Sequence, residues 1–304
     1  MNKTTTGHIA ALITIVIWGT TFISTKILLV DFTSIEILFF RFLFGLLVLI
    51  IVYPKRLKLK DRKQELTFAA AGLCGICLYY LLENIALTYT MASNVGVIIS
   101  IAPFFTAVLS YIFMKTEEKL KAQFFVGFFV AMVGICLISF NSRELELNPI
   151  GDILAVVAAL VWSVYSLLTR KISSYGYNTV QTTRRIFTYG IVFMLPFLFV
   201  FDFNLDIQKV VKPEYALNLI YLGIGASALC FVTWNYAVKM LGAVKTSVYI
   251  YMVPVITVAT SVVVLKEEIT LVSAIGTVLT LIGLFLSESR LKIKKRGKEN
   301  ECRE

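Results

Sequence analysis

Ten long apolar runs constrain this chain more than any other feature. They fall near residues 8–29, 34–53, 66–88, 93–114 and 123–140, and again near 151–169, 179–201, 215–238, 246–265 and 272–289. A helix that crosses a bilayer needs about 20 predominantly apolar residues. These runs meet that length one after another, with few charges inside them. They are continuous rather than alternating, which excludes a membrane β-barrel. The chain is 58% hydrophobic, against roughly 45–50% in soluble domains. Its mean hydropathy is +0.82. The fold class is therefore an all-α polytopic membrane protein of ten transmembrane helices, with the lipid bilayer as its surroundings. The first run has no A-x-A-like site behind it, and its pattern recurs later. It reads as part of the fold and not as a signal peptide.

The formal net charge of +10 invites a nucleic-acid reading, but the distribution argues against one. Six basic residues lie in "PKRLKLKDRKQE" (54–65) and seven after residue 289. Lys3, the loop-4–5 set Lys115, Lys119 and Lys121, and the pairs Arg170–Lys171 and Lys239, Lys245 fall on the same side of a ten-span chain. That side carries 21 basic residues and the other carries four: Arg143, Lys209, Lys212 and Lys266. Basic loops stay in the cytoplasm. The expectation is a multi-pass plasma-membrane protein with both termini cytoplasmic. Its basic clusters set topology and touch anionic lipid rather than nucleic acid.

The two halves match. "GHIAALITIVIW" (7–18) parallels "GDILAVVAALVW" (151–162) at an offset of 144, which pairs Lys26 with Arg170 and Arg41 with Arg185. Further on the offset is 151, and Asn84 meets Asn235, Ala86 meets Ala237, Ala92 meets Ala243 and Pro103 meets Pro254. Gly127 and Gly134 mirror Gly276 and Gly283, and "TEE" (116–118) mirrors "KEE" (266–268). The expected division is 1–142, 143–289 and a basic tail, 290–304. Each repeat has five spans, so the second enters the membrane upside down. Inverted repeats are a device of secondary transporters, whose halves rock about a site at their interface.

With the "IWGTTFISTK" first span, the "FFRF" second span, the proline-centred fourth and ninth and the "G-x6-G" fifth and tenth, the chain resembles EamA-type members of the drug/metabolite transporter superfamily. The resemblance covers nearly the whole chain. It implies a ten-helix bundle of two inverted five-helix repeats around a central cavity. Members export amino acids and other small metabolites, and relatives move nucleotide sugars. The family alone does not fix the substrate.

Several residues are candidates for the transport path. Trp18 and Trp162 lie about ten residues inside their spans, near the midplane, whereas membrane tryptophans favour the interface. Either they line a cavity, with Thr21 and Tyr165 beside them, or they pack helices. Asn84 and Asn235 are intramembrane amides that need partners; they bind substrate or tie helices together. Pro103 and Pro254 each remove a backbone donor and mark helix kinks, with Gly96, Ser100 and Ala107 on the face of Pro103. Lys26, Arg41 and Arg185 are charges within or near spans, structural or substrate-facing. Arg41 and Arg185 are each expected to snorkel or to pair near their own interface.

Glu83 is the sharpest case. Its repeat position is Trp234, so the carboxylate is not duplicated. Three readings stay open: a bridge to Lys26 or Arg41, a contact to a substrate amino group, or a proton site for coupling. Tyr79 and Tyr80 precede it by a turn. With Trp18, Trp162, Tyr165, Trp234 and Tyr236 they could wall an aromatic pocket, which suits apolar amino acids and also cationic drugs.

Other chemistry is poorly served. Cys74 and Cys77 form a lone C-x-x-C in an apolar run, and the single histidine, His8, sits at a membrane edge, so no metal site is expected. No "GxxxxGK[ST]" occurs, so no nucleotide drives the protein directly, and no cofactor is expected. An intramembrane enzyme would need a catalytic constellation that the chain lacks. The reading is a secondary transporter exporting small metabolites, amino-acid-like, by alternating access. A multidrug or other organic-metabolite exporter is the alternative, and a non-transporting scaffold or sensor is the rival from another class. The partner is a small-molecule substrate, and the sequence assigns no oligomeric state.

Overall fold

In hydrocarbon every backbone N–H and C=O must be satisfied within the chain, and a continuous apolar run does this as a helix. The structure, a computed structural model, describes residues 3–89, 92–114, 122–139, 148–201, 203–204, 206–265 and 271–288. Among these residues no strand occurs. The first half holds α1 (Lys3–Leu28), α2 (Ser34–Val52), α3 (Gln64–Tyr89), α4 in two segments (Ala92–Ile99 and Ala102–Met114) and α5 (Ala122–Ser139). The second holds α6 (Pro149–Ser174), α7 (Thr179–Val200), α8 (Pro213–Leu241), α9 and α10 (Leu271–Glu288). α9 runs as Ala243–Val248, a 3₁₀ turn at Tyr249–Tyr251, and Met252–Leu265. The "TEE" and "KEE" segments, Lys115, Lys119, Lys121, Arg143, Lys266, the basic tail and Cys302 lie outside the described residues, as does the side chain of Lys26.

Each expected span coincides with one of these rods. α6 runs past its expected end because its polar last turns carry their own acceptors: Thr169, Ser173 and Ser174 donate to the carbonyls of Ser166, Arg170 and Lys171. Helix starts follow local chemistry. Thr33 and Glu36 form a capping box on α2. Asn148 caps α6 ahead of Pro149, and Asn178 caps α7. Between α8 and α9 the chain reverses at Gly242 with φ of +91°, a conformation open to glycine.

The packing has a pseudo-two-fold pattern. α1 lies against α8 and α9, and α6 lies against α3 and α4. α2 meets the middle of α8, and α7 meets α3. α2–α7 and α5–α10 are pairs of repeat equivalents that meet each other. Five rods per half and these exchanged contacts make the architecture two inverted repeats. The duplicated glycines lie at the α5–α10 contact: a Cβ on Gly134 would sit 2.5 Å from the Gly276 carbonyl oxygen, and one on Gly283 would sit 2.6 Å from that of Gly127. Only glycine lets these backbones approach so closely. The outer faces expose Val126, Phe129 and Val133 on α5 and Val278, Ile282 and Phe285 on α10. An apolar exterior of this kind is what a bilayer solvates.

Two features were not expected from the sequence. Leu73–Leu78 in α3 and Tyr221–Leu229 in α8 are π-helical. They occupy matching places in the two repeats, and such stretches favour functional positions. Pro103 and Pro254 lie in the first turn of a new segment, just after the interruptions at Ser100–Ile101 and Tyr249–Tyr251. There the missing N–H costs least.

Candidate functional site

The cavity is assembled from helical stripes. α1 presents Trp18, Thr21 and Thr25, and α3 presents Tyr79, Tyr80, Glu83, Asn84 and Leu87. These are the i, i+3, i+4 positions of one helix face. Arg41 enters from α2, Gly96, Ile99 and Ser100 from α4, Trp162 from α6, and Ile250 and Val253 from α9. Both repeats therefore contribute. The space amounts to about 690 Å³ with the open solvent at its mouth included, and its lining reaches Thr25 and Leu87, in the last turns of α1 and α3, at the end away from the basic 54–65 loop.

Its floor is aromatic. Trp18 and Trp162 meet edge to face at 5.3 Å between ring centroids, and Tyr79 lies 4.8 Å from both Trp162 and Tyr80. The Trp18 indole donates to the carbonyl of Ala226 at 2.9 Å, inside the π-helical stretch of α8. Arg41 uses the same stretch: its Nε donates to Ser227 Oγ at 3.0 Å, and its guanidinium lies 4.5 Å over the Tyr80 ring. The unusual turn of α8 thus positions two cavity residues.

The polar groups are buried. Arg41 is 3% exposed and Glu83 is 8%. Among the described residues the ion pairs are Arg185–Glu65 and Lys209–Glu36, so neither Arg41 nor Glu83 has one. Arg41 and the Tyr79 hydroxyl are near enough to act on Glu83 electrostatically. Glu83 Oε2 nevertheless has no hydrogen-bond partner, and neither has Trp162 Nε1. Buried polar atoms are ordinarily paired. Asn84 is partly committed: it donates to the Ser34 carbonyl at 3.2 Å, and its own carbonyl receives the Ser34 hydroxyl.

The structure divides the sequence candidates. Trp18, Thr21, Tyr79, Tyr80, Glu83, Asn84, Trp162 and Arg41 share the cavity. Tyr165, Trp234 and Asn235 do not line it. Trp234 is fully buried behind Trp18 and Trp162. Tyr165 donates to Asn235 at 2.9 Å, and Asn235 donates to Thr183 at 3.0 Å, a buried knot of α6, α7 and α8. Arg185 is at the basic end, held by both oxygens of Glu65 at 2.7 and 2.6 Å. It follows the expectation of pairing near its own interface. Arg41 departs from it, because no acid of its own helix or turn reaches it. Thr25, Leu87, Ile99, Ile250 and Val253 were missed. The i+4 continuation of the Trp18–Thr21 and Glu83 stripes would have found the first two.

A second, narrower cavity of about 280 Å³ lies toward the basic end, lined in part by Thr169, Ile172, Ser173, Thr182, Asn235 and Lys239. Thr169 and Asn235 are the repeat partners of Thr25 and Asn84. Among the described residues no group of metal-ligating side chains gathers, and Cys74, Cys77, Cys136 and Cys230 are free.

The sequence pattern of the EamA-like transporter family matches residues 5–140 and 149–288, once in each half. An uncharacterized transporter of Archaeoglobus fulgidus is 28% identical over 300 residues, covering 95% of this chain and 99% of its own. A probable terminal-alkyne amino-acid exporter of Streptantibioticus cattleyicolor is 25% identical over 238 residues, 78% of each chain. One solved crystal structure superposes with a TM-score of 0.78 over 95% of this chain and 99% of its own, at 20% identity, a likeness of fold alone. With two matched repeats, a ten-rod apolar bundle and a cavity between its halves, the chain belongs to the EamA-like transporter family and is a multi-pass membrane transporter of small molecules.

Proposed function

We propose that this protein is a secondary transporter that exports a small amino-acid-like metabolite by alternating access. The observation that carries the reading is the pair of repeat-related cavities, about 690 Å³ at one end and about 280 Å³ at the other. If the halves 1–142 and 143–289 rock so that their packings exchange, the first cavity closes and the second widens. The charge bias of the loops supports placing both termini in the cytoplasm, at the plasma membrane. The wide cavity then faces outward.

The amino-acid class draws support from the Streptantibioticus relative, whose name carries that substrate. It also fits a small cavity with an aromatic floor and charged groups of both signs. An exporter of organic cations fits less well, because Arg41 would stand buried beside a like charge. The test is counterflow of radiolabelled amino acids in proteoliposomes, with and without a pH gradient. Saturable exchange that depends on internal amino acid is expected. Absence of flux for amino acids, amines, organic acids and dyes alike would overturn the reading in favour of a scaffold or sensor.

A further inference from the structure

Three polar residues that line the wide cavity differ in their partners from their repeat equivalents. Arg185 is held by both oxygens of Glu65. Its equivalent, Arg41, has no carboxylate, since the position matching Glu65 is Ala216. Trp18 Nε1 has the Ala226 carbonyl as acceptor, whereas its equivalent, Trp162 Nε1, is buried with none. Glu83 has Trp234 as its repeat partner and keeps a buried oxygen without a donor. Arg41, which has no ion pair among the described residues, therefore lines one cavity with Trp162 and Glu83, whose Nε1 and Oε2 have no hydrogen-bond partner.

Resting on the transporter reading above, we infer that this space binds the head group of a zwitterionic α-amino acid in one orientation. The carboxylate lies against Arg41 and the Trp162 N–H, and the ammonium lies against Glu83. The substrate carboxylate does for Arg41 what Glu65 does for Arg185. Charge-assisted contacts of this kind are the strong hydrogen bonds, and a substrate lacking one partner leaves a buried charge uncompensated. The side chain of the amino acid is left to the aromatic floor of Tyr79 and Trp18. Because Glu83 is not duplicated, the protein carries one such site.

The test compares three solutes of equal side chain in proteoliposomes: an α-amino acid, its α-hydroxy acid and its decarboxylated amine. Wild type should exchange the amino acid at least about 10-fold better than either analogue. Glu83→Gln should lower the preference for amino acid over hydroxy acid by roughly 10–100-fold, and Trp162→Phe should raise KM about 5-fold with the ring retained. Unfolding temperature in detergent, measured for each variant, separates a lost contact from a lost fold. If a variant does not fold, inhibition of wild-type exchange by the two analogues decides the matter. Equal transport or inhibition by the amine or the hydroxy acid overturns the zwitterion site while leaving transport intact. Glu83→Gln with unchanged selectivity also overturns it. No flux for any of the three, or for dyes, sinks the transporter reading instead.

Discussion

Gly75→Ala tests how the basic end is held shut. Gly75 lies in the π-helical stretch of α3, against the fully buried ring of Tyr165. A methyl there would lie 2.5 Å from Cγ and 2.6 Å from Cε2 of that ring. Carbon atoms prefer about 3.5–4.0 Å, so the ring must retreat by about 1 Å. Overpacking of this kind costs about 1–3 kcal/mol. The retreat also strains the Tyr165–Asn235 hydrogen bond of 2.9 Å, worth about 1 kcal/mol. A total near 3 kcal/mol falls on the state with the narrow basic-end cavity. If Tyr165 leaves Gly75 when that cavity widens, the equilibrium moves by roughly 100-fold toward the inward-open state. The assay is the rate at which Ser173→Cys, in a cysteine-free background, reacts with an impermeant maleimide from the basic side. Gly75→Ala should speed it by one to two orders of magnitude. A lowered unfolding temperature with no change in labelling would refute the reasoning, because the contact would then persist in both states.

Other outcomes follow from the same geometry. Gly134→Ala places a Cβ 2.5 Å from backbone atoms of Gly276 and Thr280, which cannot yield, so thermal unfolding in detergent should show a loss of about 1–3 kcal/mol. Glu65→Gln should cost no more than about 1 kcal/mol by the same measurement, since the ion pair it breaks is about a third exposed at 35% and 30%. Asn235→Ala removes two buried hydrogen bonds and should cost about 2 kcal/mol; a variant as stable as wild type would show that the knot of α6, α7 and α8 is not holding. Arg41→Lys keeps the charge but loses the planar fork over Tyr80, and KM in counterflow should rise about 10-fold.

Much of the fold was legible because a bilayer leaves few choices. Continuous apolar runs must be helices, and an odd number of them per repeat must invert the second half. The stripe from Trp18 to Thr21 and the turn from Tyr79 to Asn84 were readable as cavity faces for the same reason, since helical spacing carries over to surface adjacency. What stayed hidden was the partnering. Arg41 and Arg185 look equivalent in the repeat, and only the fold puts Glu65 beside one of them. Tyr165 and Asn235 look like cavity residues by their repeat partners Thr21 and Asn84, yet they bond to each other inside the second half, a pairing that repeat symmetry does not predict. The π-helical stretches left no mark in "LCGICL" or "YLGIGASAL" that distinguishes them from ordinary helix.

The claim at the centre of this account is that the two cavities belong to one path and open in turn. Thr25→Cys and Thr169→Cys occupy the same repeat position, one in each cavity. Each would be reacted with an impermeant maleimide from either side of the membrane, with and without an amino-acid substrate. The account predicts that Thr25→Cys reacts from the side opposite the basic loops, Thr169→Cys from the basic side, and that any condition raising one rate lowers the other. Two rates that rise together, or that ignore each other, would contradict it.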